Sequence, residues 1–184
     1  MRRLRIAFGQ KGRCEVRLLE IPMVVTSLLG VCFLADPHVP AAYADFAFGE
    51  PQNLGPVINT PSYEYATTTS ADGLELYFIS TAPGGYGGWD IWVSTRQNVN
   101  DPWGAPSNLG ATVNSAYDEC FAKLFWDGLT LCFSDIAPGT PRPGGLGGAD
   151  IWISSRGSPA VPWGPPVNAG APINSSANDS GPSL

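Results

Sequence analysis

The sequence predicts an all-β chain assembled from repeated four-stranded antiparallel units. Marker segments recur in the same order, so that Asn53-Leu54-Gly55 returns as Asn108-Leu109-Gly110. Short apolar runs rich in aromatic and β-branched residues follow Asp-Gly pairs, as strands follow hairpin turns. After residue 44, no window of twelve or more residues shows the periodicity of an amphipathic helix.

The repeat extends over about two and a third copies. Segment 84–92, Gly-Gly-Tyr-Gly-Gly-Trp-Asp-Ile-Trp, matches segment 144–152, Gly-Gly-Leu-Gly-Gly-Ala-Asp-Ile-Trp. The spacing is 55 residues from Asn53 to Asn108 and 60 residues from Asn108 to Asn168. The five extra residues, 139–143, are rich in Pro and Gly, and such an insertion predicts an exposed loop because loops absorb length changes cheaply.

Each unit has the strand pattern of a propeller blade. The runs 74–79 and 129–133 are predicted strands after Asp-Gly turns, and 90–94 and 150–154 are predicted strands after the Gly-rich loops. About four short strands per unit, with turn signals between them, favour a blade over a sandwich. A unit of this size cannot bury its apolar face alone, so stacked modules are expected.

These motifs resemble a known repeat. The pattern S-x-D-G-x-x-L-Y-F at Ser70–Phe78, followed by G-G-x-G-G-x-D-I-W, is similar to the WD-like β-propeller repeat of the TolB type, above all its secreted bacterial versions. The N-L-G-x-x-[IV]-N-[ST] connector is matched at 53–60, 108–115 and, with Ala169 for Leu, 168–175. The resemblance implies a β-propeller fold and is unspecific for function. Phe125-Trp126 departs from the small residues expected before Asp127-Gly128.

The N-terminal segment predicts export. Six basic residues precede an apolar run at 21–35, and Ala42-Tyr43-Ala44 forms an A-x-A cleavage site before Asp45. The predicted organisation is therefore a signal peptide at 1–44 and a partial propeller at 45–184, with repeats at about 45–106, 107–166 and 167–184. An uncleaved anchor is the alternative, but the 15-residue run is shorter than the roughly 20 residues of a span. Periplasmic, outer-membrane-associated or extracellular localisation is expected, without an integral membrane segment after cleavage.

The third copy stops before its Asp-Gly hairpin. Propellers close with about four to eight blades, so two blades and a stub leave exposed strand edges and an uncovered apolar face. The sequence therefore predicts an incomplete propeller, either a fragment of a longer product or a chain completed by other copies or by a partner.

Charge restricts the partners of the predicted mature segment. After residue 44, four basic residues stand against 13 acidic ones, a net charge of −9. A surface this acidic repels phosphate backbones, so nucleic-acid binding is not expected. A protein or a cell-envelope component is the expected partner.

Catalytic signatures are absent from the predicted mature segment. The only histidine, His38, lies in the predicted signal peptide, so neither a Ser-His-Asp nor a Cys-His mechanism is available. The Gly-rich loops lack a P-loop's Gly-Lys ending and precede strands rather than helices. Cys120 and Cys132 flank the second hairpin; a two-residue turn there pairs Lys123 with Cys132 and places the two sulfurs on opposite faces, which argues against a disulfide.

Repeated acids leave three interpretations open. Glu64, Glu119 and Asp179 each lie five residues after a connector asparagine. They could form an oxygen-rich Ca²⁺ site, a general acid/base pair for a glycoside, or one structural acid per repeat that bonds the neighbouring connector. Repetition favours the structural role. Arg96 and Arg156 end equivalent strands and are expected to pair with repeat carboxylates or to stack on tryptophans.

The remaining repeated polar, glycine and tryptophan positions are predicted to be structural. The tryptophans are expected to pack between blades rather than to form sugar platforms. The predicted structural positions are Asn53, Gly55, Asn59, Asp72, Gly73, Asp90, Trp92, Arg96, Trp103, Asn108, Gly110, Asn114, Asp127, Gly128, Asp150, Trp152, Arg156 and Trp163.

The sequence thus predicts an exported, non-catalytic interaction module without a cofactor. A fragment of a secreted polysaccharide lyase or glycosidase, with its catalytic residues in further blades, is one alternative. A calcium-stabilised structural repeat is the other.

Overall fold

The computed structural model describes residues 49–136 and 142–183. All its regular elements are strands, arranged in two four-stranded antiparallel sheets. The all-β prediction is confirmed for these ranges. They contain no helix of the length and apolarity that crossing a membrane requires. The compact unit 49–184 holds both sheets, whereas the predicted signal peptide lies outside the described residues.

The first sheet contains the strands in chain order. They are β1 (Glu64–Thr69), β2 (Glu75–Ser80), β3 (Asp90–Thr95) and β4 (Ser107–Asn108). The apolar run predicted at 74–79 is β2, and it pairs with β3 from Glu75↔Thr95 to Ser80↔Asp90. β4 contributes only two residues, and it ends two residues beyond the predicted boundary of the first repeat.

The second sheet repeats this order. Its strands are β5 (Asp118–Leu124), β6 (Thr130–Ile136), β7 (Ile151–Ser155) and β8 (Val167–Asn168). Trp152 pairs with both Phe133 and Asn168, as Trp92 pairs with Phe78 and Asn108 in the first sheet. The strands of the two repeats therefore pair in the same register, despite the insertion in the second repeat.

The Asp-Gly hairpins are longer than the predicted two-residue turns. In the second, the Phe125 N–H donates to the Thr130 carbonyl at 2.8 Å, which closes a four-residue loop. The Gly128 N–H donates to the Phe125 carbonyl at 3.0 Å, and Gly128 has a φ of 67°. The predicted need for positive φ at this glycine is confirmed, and so is the pairing of Lys123 with Cys132.

A β-bulge changes the argument about the cysteines. The β5–β6 register shifts between Cys120 and Lys123, where Phe121 has a φ of 53°. The extra residue breaks the strict alternation on which the prediction of opposite faces rested. Both thiols are nevertheless free and buried, and the Tyr65 hydroxyl lies 2.8 Å from the Cys120 sulfur.

The core lies between the two sheets. Tyr77, Ile79 and Ile91 of the first sheet meet Leu131 and Phe133 of the second, and all five are almost fully buried. A smaller cluster on the other side of the first sheet contains the buried residues Ile58, Leu76 and Phe78, with Trp92 and Trp103 packed against it. Because Leu131 and Phe133 are the repeat equivalents of Leu76 and Phe78, this smaller cluster uses the corresponding face.

The insertion is not wholly exposed. Arg142, one of its residues, keeps only 11% of its side chain accessible. Its Nη2 donates to the Val113 carbonyl at 2.6 Å, and its guanidinium lies 5.5 Å and 5.2 Å from the Phe133 and Trp152 ring centres. The prediction of a simple exposed loop is therefore wrong at this residue, because a cation reaches back over two core aromatics.

Candidate functional site

The connector asparagines join consecutive repeats. The Asn114 side chain donates to the Ile91 carbonyl and accepts from the Ile91 N–H, each at 2.9 Å, and it also donates to Asn108 Oδ1 at 2.8 Å. Asn174 makes the same three bonds with Ile151 and Asn168. A side-chain amide thus satisfies a strand's backbone groups in place of another strand.

The three repeated acids each hold the connector of their own repeat. Glu64 accepts from the Thr60 hydroxyl at 2.5 Å and from the Thr60 N–H at 3.2 Å. Asp179 accepts from the Ser175 N–H at 2.6 Å and hydroxyl at 2.8 Å, and Glu119 accepts from the Ser115 hydroxyl. In the described part of the chain, no three His, Cys, Asp or Glu residues are grouped to hold a metal ion.

Glu119 differs from its two equivalents in its burial. Its side chain has no accessible surface, and its Oε1 lies 3.9 Å from Arg142 Nη1. Burial raises the pKa of Glu119 to about 8, against the lowering effects of the Ser115 hydrogen bonds and of Arg142. The carboxyl group is therefore mainly protonated at neutral pH, and its side chain is closed off from solvent.

Two carboxylates close the first Gly-rich loop, and in the second loop Asp150 and the side-chain amide of Asn178 take the equivalent positions. Asp90 accepts from the Tyr86 N–H at 3.0 Å, and Asp118 of the next repeat accepts from the Gly88 N–H at 3.1 Å. A Cβ on Gly87 would overlap the Tyr117 carbonyl oxygen. Gly87 thus lets the loop approach the next connector, and the four N–H groups of residues 86–89 are already bonded to Asp90 or Asp118.

Both predicted arginine–tryptophan stacks are present. The Arg96 guanidinium lies 4.2 Å from the Trp103 ring centre, and that of Arg156 lies 4.5 Å from Trp163. Each Nε donates to the carbonyl of a hairpin glycine, Gly73 at 2.8 Å or Gly128 at 2.9 Å. The stacked arginines thus support the two Asp-Gly hairpins.

Only Arg156 also pairs across the repeats. Its Nη2 lies 2.6 Å from Glu75 Oε2 and its Nη1 lies 3.1 Å from Glu75 Oε1, a bidentate ion pair between the sheets. Glu75 is not one of the repeated acids, because Thr130 occupies its place in the second repeat. No carboxylate forms an ion pair with Arg96 among the residues that the structure describes.

A cleft opens between the two Asp-Gly hairpins. We call it the hairpin cleft; its volume is about 390 Å³, within the range of roughly 300–1,000 Å³ that is usual for ligand sites. Both hairpins and both stacked arginines contribute to its walls. The principal lining side chains are Asp72, Glu75, Arg96, Trp126, Asp127 and Arg156.

Trp126, like Glu75, is a residue of this cleft that is not repeated. Its side chain is 84% exposed, and the first repeat has Ala71 at the equivalent position. The repeated tryptophans behave differently: Trp152 and Trp163 are buried in the core between the sheets. An indole held in solvent by a hydrogen-bonded hairpin offers a flat apolar surface and one N–H donor to a ligand.

The cleft contains fixed charges of both signs. The Ser70 hydroxyl and the Leu74 N–H lower the pKa of Asp72, and the N–H groups of Leu129 and Thr130 lower that of Asp127. Both carboxylates are therefore ionised at neutral pH. Arg96 brings a positive charge, while Arg156 and Glu75 neutralise each other.

The sequence draws attention to five of these six lining residues, but to none of them as part of a binding site. Asp72, Asp127, Arg96 and Arg156 were predicted as structural, Trp126 was noted only as a departure from the repeat, and Glu75 was missed. The usable signal was present in Trp126, an aromatic at a turn where the other repeat has alanine. The ion pair with Glu75 spans 81 residues, and no local pattern indicates it.

Comparisons with models of protein families, with curated proteins and with solved structures give no match to this chain.

Proposed function

We propose that this chain is an exported, non-catalytic binding module of the β-propeller type, which binds a protein or another cell-envelope component through the hairpin cleft. The observation that carries the proposal is the 84% exposure of the Trp126 indole, which stands where the first repeat has alanine, in a cleft whose two hairpins are each held by a repeated arginine contact. Export rests on the basic and apolar N-terminal sequence with its A-x-A site.

Repetition of the sheets supports the propeller part of the proposal. Two sheets with the same strand order pack front to back, because the Leu131 and Phe133 face of the second sheet corresponds to the Leu76 and Phe78 face that the first sheet turns away from it. The third connector repeats the contacts of the second down to the Asp179 N–H, which donates to Ala149 as the Glu119 N–H donates to Trp89. The resemblance of the motifs to TolB-type repeats points the same way. This architecture places hairpins of successive repeats side by side, which is what forms the cleft.

The use of the carboxylates supports a non-catalytic role. Each repeated acid bonds a connector Ser or Thr, and Asp90 and Asp150 bond loop amides. A general acid and base must instead face the reacting bond of a substrate. In the hairpin cleft, Asp72 and Asp127 cap their own turns and keep lowered pKa values, which suits hydrogen-bond acceptors rather than acids.

Co-sedimentation with isolated bacterial cell envelopes tests the proposal. The full-length chain is expected to sediment with the envelopes, and Trp126→Ala is expected to weaken binding roughly tenfold or more, as loss of an aromatic hot spot does. Tyr86→Ala is the matched control, because Tyr86 is also exposed, at 53%, but lies in the Gly-rich loop at the opposite end of β2.

The control variant is expected to bind like the wild type. Equal binding by wild type and Trp126→Ala would contradict the proposal, and so would no sedimentation of the wild type. Both variants change exposed side chains, so unfolding by urea should give the same midpoint for all three proteins.

A further inference from the structure

The chemistry of the hairpin cleft allows its ligand to be specified further. The ionised carboxylates of Asp72 and Asp127 repel an anionic ligand. The guanidinium of Arg96, which has no ion pair among the described residues, repels a cationic group of a ligand. The charges of Arg156 and Glu75 neutralise each other in their bidentate ion pair. A neutral ligand rich in hydroxyl groups meets no like charge, and it can donate to the carboxylates and accept from the guanidinium.

The position of Trp126 adds an apolar requirement. Its indole is 84% exposed at one wall of the cleft, so its face is available to stack on a ligand that has a flat apolar face. A pyranose ring has such a face in its axial C–H groups and carries hydroxyls around its edge. Acceptors, donors and an aromatic platform thus occur together in one cleft of about 390 Å³.

We infer that the hairpin cleft binds a neutral saccharide chain, with one sugar ring stacked on Trp126 and its hydroxyls bonded to Asp72, Asp127 and Arg96. This inference rests on the proposed binding function and narrows its ligand to one chemical class. Because the cleft is open at the surface between two hairpins, it suits a segment within a longer glycan. No bond is made or broken in the ligand.

An array of immobilised probes tests the inference with the full-length chain. The probes are neutral oligosaccharides, oligosaccharides containing uronic acids, oligosaccharides containing free amino sugars, oligolysine and oligoglutamate. The wild type and Tyr86→Ala are expected to bind neutral oligosaccharides, and Trp126→Ala is expected to bind them roughly tenfold or more weakly. Binding of a neutral ligand should change little between 0.05 and 0.5 M salt, since no ion pair is screened.

The other outcomes separate the two proposals. Trp126-dependent and salt-sensitive binding of oligolysine or of a charged glycan, without binding of neutral ones, would overturn the saccharide inference and leave the binding function standing. Binding to no probe in a Trp126-dependent way would also overturn the inference. In that case, Trp126-dependent sedimentation with envelopes still decides the proposed function separately.

Discussion

Glu119 shows how one side chain can keep a repeated contact and acquire a different environment. Like Glu64 and Asp179, it accepts a hydrogen bond from the Ser or Thr of its connector. It differs because its side chain has no accessible surface, and this burial raises its pKa to about 8. A carboxyl group whose pKa is raised on folding binds its proton more tightly in the folded state than in the unfolded chain.

The raised pKa of Glu119 makes the free energy of unfolding depend on pH. The stabilisation of the folded state by protonated Glu119 is fully present below the unfolded pKa of about 4.3. This stabilisation is lost as the pH rises towards the folded pKa of about 8. The free energy of unfolding is therefore expected to fall in this window, with a contribution from this group of at most about 1.4 kcal/mol per pH unit. Glu119→Gln should remove that contribution, which urea unfolding from pH 4.5 to pH 8.5 measures.

The matched control is Glu64→Gln, which removes the equivalent carboxylate from the first repeat. The difference in unfolding free energy between wild type and Glu119→Gln should change steadily with pH across the window. If the unfolding free energies of the wild type and of Glu119→Gln change in parallel with pH, Glu119 does not titrate as described.

Residue roles could be predicted from the sequence wherever the contact is local or repeated. The connector asparagines, the Gly-rich loop and the two arginine–tryptophan stacks all recur at fixed spacing, so repetition marked them as structural. Arg142 and Glu75 could not be assigned this way, because each occurs once and its partner is distant in the sequence, 29 residues from Arg142 to Val113 and 81 residues from Glu75 to Arg156. Trp126 was visible as an exception, but its exposure depends on the hairpin that carries it.

Among the elements, strand existence was more predictable than strand detail. The predicted runs 74–79, 90–94, 129–133 and 150–154 each lie within one residue or a few residues of an observed strand. The two-residue strands β4 and β8 carry no apolar pattern of their own, and the bulge in β5 adds a residue that alternation alone cannot reveal. These features arise from pairing with neighbours rather than from local sequence.

The ion pair between Arg156 and Glu75 connects the two sheets at their hairpin ends. Its side chains are 4% and 18% exposed, so removing one partner leaves a poorly solvated charge. Arg156→Met is expected to lower the free energy of unfolding by about 2–3 kcal/mol. Equilibrium unfolding in urea at pH 7 checks this value.

Arg96→Met provides the comparison within the same chain. It removes an equivalent tryptophan stack and an equivalent hydrogen bond to a glycine carbonyl, but no ion pair. Arg96→Met should therefore lower the free energy of unfolding by less than Arg156→Met does, with a difference of about 1 kcal/mol or more. Equal losses in the two variants would mean that the pair between the sheets adds nothing to stability.

For the whole molecule, the sequence predicts the layered arrangement but not the position of the ligand site. Repeated units that cannot bury their apolar residues alone require stacked sheets, and the core between the sheets meets that requirement. The cleft depends on where two hairpins come to lie once the sheets have packed. Its location therefore follows from tertiary structure, and only the unrepeated Trp126 marks it in the sequence.

Replacing Phe125-Trp126 by the Ser-Ala of the first repeat removes the exposed indole while leaving the scaffold of the hairpin cleft in place. Ser70 bonds the N–H groups of Leu74 and Glu75 in the equivalent hairpin, so the double variant F125S/W126A should keep the fold and its midpoint in urea. We expect it to lose sedimentation with cell envelopes, because the scaffold remains while the binding surface is removed. An equally folded double variant that still sediments like the wild type would contradict the account.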